Sequence, residues 1–207
     1  MATVTPSSRS TRWAERELDR VAAFSDGVFA IAITLLVLNL AVPTVPDDQP
    51  GHALRALRDD FTAYLIGFAV MGGFWYGHHR LFSRMKRSNP RLVVANLVLL
   101  ALIGLMPFTT ALLGRYDEPL AIAIYAVNVG LASLADGATG KIAIDDGLLD
   151  DESVAELGEA DPLIGSIARA GVFFLSIPIA YLVAPNAALW SWLLLIPLGV
   201  ALGRRHR

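Results

Sequence analysis

Cysteine is absent from the 207 residues. That excludes disulfides, thiolate catalysis, iron–sulfur clusters and Cys-based zinc sites. Charge is scarce: 17% of the chain is Asp, Glu, Lys or Arg, against about 25% in an ordinary soluble domain. The net charge of -2 and the pI near 6.1 give no attraction to phosphate polymers, so a nucleic-acid binder is excluded. Glycine-rich phosphate loops and nucleophile elbows are missing, and so is a Thr-Val-Gly-Tyr-Gly loop. What the chain has instead is apolarity: 55% hydrophobic residues and a mean hydropathy of +0.53.

The apolar residues are concentrated in blocks. A helix that crosses a hydrocarbon core of about 30 Å needs roughly 20 of them. Six blocks, 21–42, 61–80, 92–113, 119–135, 164–183 and 187–203, come close to that length. The sequence therefore predicts an all-α polytopic membrane protein, a single domain over residues 1–207 with six transmembrane helices. Turn residues separate the blocks: Pro43, Pro46 and Pro50 around Asp47 and Asp48, then Asn89-Pro90, Glu118-Pro119 and Ala184-Pro185-Asn186. Pro107, Pro178 and Pro197 fall inside blocks, where membrane helices tolerate them as kinks. The first block is too long for a signal peptide and follows about twenty polar residues, so a retained helix is expected. No internal repeat is apparent.

Basic residues fix an expected orientation. Arg9, Arg12, Arg16 and Arg20 precede the first block. Arg80, Arg84, Lys86, Arg87 and Arg91 lie between the second and third, and Arg204, Arg205 and Arg207 end the chain. Six crossings put all three groups on one side, leaving Arg55, Arg58 and Arg115 on the other. The positive-inside rule then makes both termini cytoplasmic, in the cell membrane. The acidic stretch 136–161 reads as a solvated connection, amphipathic or disordered.

Ionisable groups inside a membrane helix cost at least ~2.5 kcal/mol, so each needs a partner or a role. Asp26 lies inside the first block, and Arg20, six positions earlier, is too far around a straight helix to pair with it. Asp26 therefore calls for a tertiary partner, unless Ser25 or Asp26 is an N-cap and the helix starts there. The cationic candidates for it, His79 or Arg80, end the second block in Trp75-Tyr76-Gly77-His78-His79-Arg80, and either contact would tie the first helix to the second. Trp75 and His79, four apart, share a helix face; an interfacial aromatic belt is the competing reading of this cluster. Adjacent histidines point about 100° apart on a helix, which argues against a metal site there. Arg169, near the start of its block, is expected to snorkel. Asn39, Asn96, Thr109, Thr110, Asn128, Ser133 and Ser176 are expected to bond between helices. Ile31, Leu35 and Leu38 form one apolar stripe on the first helix, flanked by Thr34.

The run Arg20-x-x-x-Phe24-Ser25-Asp26-Gly27-Val28-Phe29-Ala30-Ile31-Ala32-Ile33-Thr34-Leu35-Leu36 resembles the first-helix signature of the endosomal/lysosomal potassium channel family, in its prokaryotic single-repeat branch. The run Phe74-Trp75 through His78, His79, Leu81 and Phe82 is similar to that family's second helix. The resemblance implies a homotetramer in which the first helices line a central pore that passes potassium in preference to other monovalent cations. It implies a main constriction at Ile31, further rings at Leu35 and Leu38, and hydroxyls from Thr34. It also implies a support network of Arg20, Phe24, Ser25, Asp26, Trp75 and a histidine, His79 by its shared face with Trp75, or else His78. No catalysis, cofactor or metal is implied; the partners are other copies of the chain, the permeant ion and lipid. The alternative is a proton-coupled transporter with Asp26 and a histidine as relay, while an enzyme would need more converging carboxylates and histidines than the chain offers.

Overall fold

The computed structural model describes residues 8–41, 51, 55, 57–150 and 162–194. Asp47, Asp48 and His52, the prolines around them, residues 151–161 and the basic C-terminus lie outside the described residues. Among the described residues six helices follow in order: α1 (Ser8–Leu35, continued by the 3₁₀ turn Leu36–Asn39), α2 (Arg58–Phe82), α3 (Pro90–Arg115), α4 (Pro119–Asp145), α5 (Pro162–Leu182) and α6 (Pro185–Ser191, then a 3₁₀ turn Trp192–Leu194). Among the described residues, α1 from Arg16 to Asn39, α3, α4 and α5 are long and apolar enough to cross a membrane. The 25-residue α2 has the length, but its Tyr, Trp, Gly and His residues dilute its apolarity. The described part of α6 covers only the start of the sixth block.

Two boundaries differ from expectation. First, α1 begins at Ser8 rather than near residue 21, so Ser25 and Asp26 sit mid-helix and the N-cap reading is wrong. The extension is amphipathic: Leu18, Val21 and Ala22 turn inward at helical spacing, while Arg16, Glu17, Asp19 and Arg20 face out. Second, α4 runs to Asp145, ten residues past the expected end at 135. Residues 136–145 are thus helix rather than solvated connection. The reason is a partner: Asp136 binds Arg169 of α5 at 2.6 Å. Arg169 also donates to Ser166 at 3.0 Å and lies over the Phe74 ring, so its half-buried side chain is tied to its neighbours at this end of α5.

Other boundaries fall at their punctuation. Asn89 caps α3 by accepting from the Leu92 N–H at 2.8 Å, with Pro90 at the first helical position. Pro119 and Pro185 occupy the same position in α4 and α6. α4 ends in a Schellman motif: Leu148 N–H bonds the Ala143 carbonyl and Gly147 N–H that of Ile144. Gly147 has φ 60°, the left-handed conformation the motif needs.

Lipid tails are as apolar as leucine, so burial drives little of this packing; close approach and hydrogen bonds matter more. α4 and α5 approach so closely at Gly137 that a Cβ there would lie 2.5 Å from the Ser166 Cβ. The main core joins Phe29, Leu36, Met71, Leu99, Ile103, Met106, Tyr125, Val129 and Phe173 from five helices. A smaller core at one end gathers Leu18, Phe82, Met85, Leu92, Ala143, Leu148 and Leu149. The start of α1, the α2–α3 link and the end of α4 therefore share one end of the bundle, the one that carries the basic α2–α3 link. Buried asparagines cross between helices: Asn39 donates to the Pro107 carbonyl at 3.1 Å, and Asn128 to the Leu102 carbonyl and Thr109 Oγ1 at 3.3 Å. Thr109 Oγ1 also bonds a carbonyl of its own helix, the hydroxyls of Ser133 and Ser176 bond only there, and that of Thr110 is buried without a partner. A short hydroxyl reaches its own preceding turn more easily than a neighbouring helix.

Candidate functional site

α1 packs on α2 and α3 with one face and leaves the other outside the subunit. Phe29, Ala32 and Leu36 are buried, whereas Ile31 is 62%, Leu35 41% and Leu38 71% exposed. Phe24, Gly27, Ala30 and Thr34 are exposed as well. The exposed face is thus continuous, apolar and four turns long, with a single hydroxyl. That hydroxyl, Thr34 Oγ1, bonds the Ile31 carbonyl at 2.8 Å, which leaves its oxygen lone pairs facing outward.

Two polar contacts hold α1 from behind, and they are separate. Ser25 and Asp26 are adjacent, so they point about 100° apart. On the outer side, Trp75 Nε1 donates to Asp26 Oδ1 at 3.0 Å, and the His79 ring stacks on Trp75 at 5.5 Å. On the inner side, His78 Nε2 meets Asn96 Oδ1 at 2.9 Å, and Asn96 Nδ2 donates to Ser25 Oγ at 2.9 Å. Ser25 Oγ in turn donates to the Val21 carbonyl at 2.9 Å. Asn96 uses its amide protons toward Ser25, so its oxygen must accept, and the His78 proton sits on Nε2. Ser25, His78 and Asn96 are all at most 2% exposed. Phe29 and Phe82 close over the His78 ring at 5.5 and 4.1 Å.

The predicted site residues therefore divide. Ile31, Thr34, Leu35 and Leu38 share the exposed face. Asp26, Trp75 and His79 form one partly exposed contact, and Ser25 with His78 belongs to the other. Arg20 and Phe24 are exposed on α1. The expected tie between Asp26 and His79 or Arg80 is replaced by the tryptophan: its indole N–H reaches the carboxylate, and Arg80 lies over the Tyr76 ring instead. Asn96 bonds between helices as expected, but its place in this network, where it joins three helices, was not read from sequence. One signal could have found it: His78 lies four residues before the end of α2 and Asn96 six after the start of α3, which puts both at one depth of the hairpin. Among the described residues there is no group of three His, Asp or Glu that could hold a metal ion.

Residues 20–107 match the family model described as endosomal/lysosomal potassium channel TMEM175. A potassium channel of Streptomyces collinus is 41% identical over 127 residues, which cover 58% of this chain and 61% of that protein. The endosomal/lysosomal proton channel TMEM175 of Mus musculus is 37% identical over 98 residues, 43% of this chain and 20% of that one. The chain thus spans less than two thirds of the length of the curated relatives it matches. The crystal structure of a lysosomal potassium-selective channel TMEM175 homologue from Chamaesiphon minutus superposes with a TM-score of 0.75 at 28% identity, over 90% of this chain and 98% of that one.

Proposed function

We propose that the chain belongs to the endosomal/lysosomal potassium channel family, whose model its residues 20–107 match, and that it is a passive, potassium-preferring cation channel of four identical subunits around a pore lined by α1. The observation that carries this reading is the uncovered face of α1. A subunit that buries Phe29, Ala32 and Leu36 and leaves Ile31, Leu35 and Leu38 outside presents an apolar wall for a shared lumen. One six-helix subunit cannot enclose a pore with one such helix; several copies can.

In this reading Ile31 forms the main constriction, Leu35 and Leu38 form further rings, and Thr34 supplies hydroxyls between them. Apolar rings offer nothing to replace an ion's water shell, so narrow ones dewet and block while wider ones pass a partly hydrated cation. Potassium sheds water more readily than sodium, which favours it. Asp26 and Ser25 do not touch the ion; through Trp75 and Asn96 they fix the angle at which α1 meets the axis. The basic end of the bundle faces the cytoplasm, as its five basic residues between 80 and 91 support. No cofactor is needed, and the relatives are named as channels, not enzymes.

Purified protein in liposomes under a potassium gradient tests the reading. Its reversal potential is expected to follow potassium. Ile31→Asn wets the constriction, so conductance rises and discrimination against sodium weakens; wild-type conductance in that variant would remove Ile31 from the pore. The proton-coupled transporter is not favoured, because the Asp26 carboxylate bonds an indole N–H, which does not titrate, and not a histidine. Flux that saturates, follows a pH gradient and vanishes in Asp26→Asn would restore it.

A further inference from the structure

The segment after α4, residues 146–150, crosses back over the α2–α3 link as a strap. Its backbone bonds are Lys86 N–H to the Leu148 carbonyl at 2.9 Å and Asp150 N–H to the Arg84 carbonyl at 3.0 Å. They flank Met85 and Leu149, which pair as antiparallel neighbours. Asp146 accepts from Asn89 Nδ2 at 2.8 Å and from Arg91 Nη1 at 3.0 Å. Arg87 donates to the Asp146 and Gly147 carbonyls at 3.3 Å. Leu148 and Leu149 are 1% exposed, in the small core that also holds Leu18 of α1.

This placement matters because of what α1 otherwise touches. Within the described elements, α1 packs on α2 and α3 and has no substantial contact with α4 or α5. At the end nearest Ser25 and Asp26, the strap joins the α4–α5 half of the subunit to the pore helix, in the small core it shares with Leu18, Val21 and Ala22. Its ion pair is a weak one, since the Arg91 side chain is 69% exposed. A contact of several small parts around two leucines can open locally without unfolding the bundle.

We propose that residues 146–150 form a gating clasp: seated, the strap holds the cytoplasmic end of α1 in one position, and lifted, it lets α1 move and changes the open probability of the pore. The proposal rests on the channel reading. It adds a control element outside the pore and outside the residues 20–107 that define the family match.

The absence of native cysteine makes the test clean. Met85 and Leu149 form a non-hydrogen-bonded antiparallel pair, whose Cα atoms lie about 4.5 Å apart, within the range a disulfide spans. Met85→Cys with Leu149→Cys is oxidised in liposomes, cross-linking is verified by loss of free thiol, and potassium current is recorded before and after reductant. Locking is expected to shift the current by about threefold or more, reversibly, with the reversal potential unchanged. Asp146→Ala, which loosens the strap, is expected to shift it the opposite way, and the swap Arg91→Asp with Asp146→Arg to return it toward wild type. A fully cross-linked channel with unaltered current overturns the clasp, and so does a shifted reversal potential, which would put the strap's effect in the constriction. Amide exchange keeps the two readings apart: Asp146→Ala should speed exchange at residues 16–24 of α1 whether or not the protein conducts. A silent wild type defeats the channel reading alone, whereas unchanged exchange defeats the clasp.

Discussion

Asn96 spends both halves of its amide, its oxygen on His78 and its protons on Ser25. Removing it leaves the Nε2 proton buried without a partner and Ser25 Oγ with its bond to the Val21 carbonyl alone, in a place water does not reach. Asn96→Leu is therefore expected to cost about 2 kcal/mol, seen as a lower midpoint of thermal unfolding in detergent. Asp26 behaves differently. Its partner needs only an acceptor, and the amide oxygen of Asp26→Asn still accepts from Trp75. That variant should fold and keep potassium current within about twofold of wild type, a change of roughly 0.4 kcal/mol or less. Loss of current with folding intact would mean that the carboxylate charge itself acts in conduction. The need of Asp26 for a tertiary partner was legible in the sequence, because an acid in an apolar block stands out. That Asn96 bonds between helices was legible too, but its partners were not: a lone amide in an apolar block resembles every other one, and only the packing of α1 and α2 against α3 gives it neighbours.

At the scale of elements, hydropathy located the first five helices and the start of the sixth among the described residues, and proline and asparagine placed the starts of α3, α4 and α6. It failed where a helix leaves the apolar block. The start of α1 and the end of α4 are rich in charge, and a hydropathy reading ends each of them too soon. What continues α4 is a pair 33 residues apart, Asp136 with Arg169; such information is relational and appears in neither segment alone. The same α4–α5 contact yields a contrast between two glycines. Gly137→Ala drives a methyl into Ser166 and should cost about 1–3 kcal/mol, with the Asp136–Arg169 pair disturbed alongside. Gly171→Ala meets nothing within 4 Å and should stabilise α5 by about 0.5–1 kcal/mol through helix propensity. Thermal unfolding of the two variants side by side checks the pair; equal effects would mean that α4 and α5 do not meet as closely as described.

For the whole molecule, the helix proposed to carry the function is the least buried of the four described helices apolar enough to cross a membrane. Only 22% of the apolar window of α1 is buried within the chain, against 56% for α4. Conduction should accordingly vanish in a strictly monomeric preparation: mass determination in detergent, followed by reconstitution of the sorted fractions, should place all current in the tetramer. Current from the monomeric fraction would contradict the shared lumen. The bare face of α1 has one more consequence. Because it is apolar, an unassembled subunit can keep it against acyl chains at little cost, and the drive to associate is correspondingly modest. Association in a bilayer then responds to surface density, as dimerisation in solution responds to concentration. Diluting the protein with excess lipid should empty the bilayer of channels while every subunit stays folded.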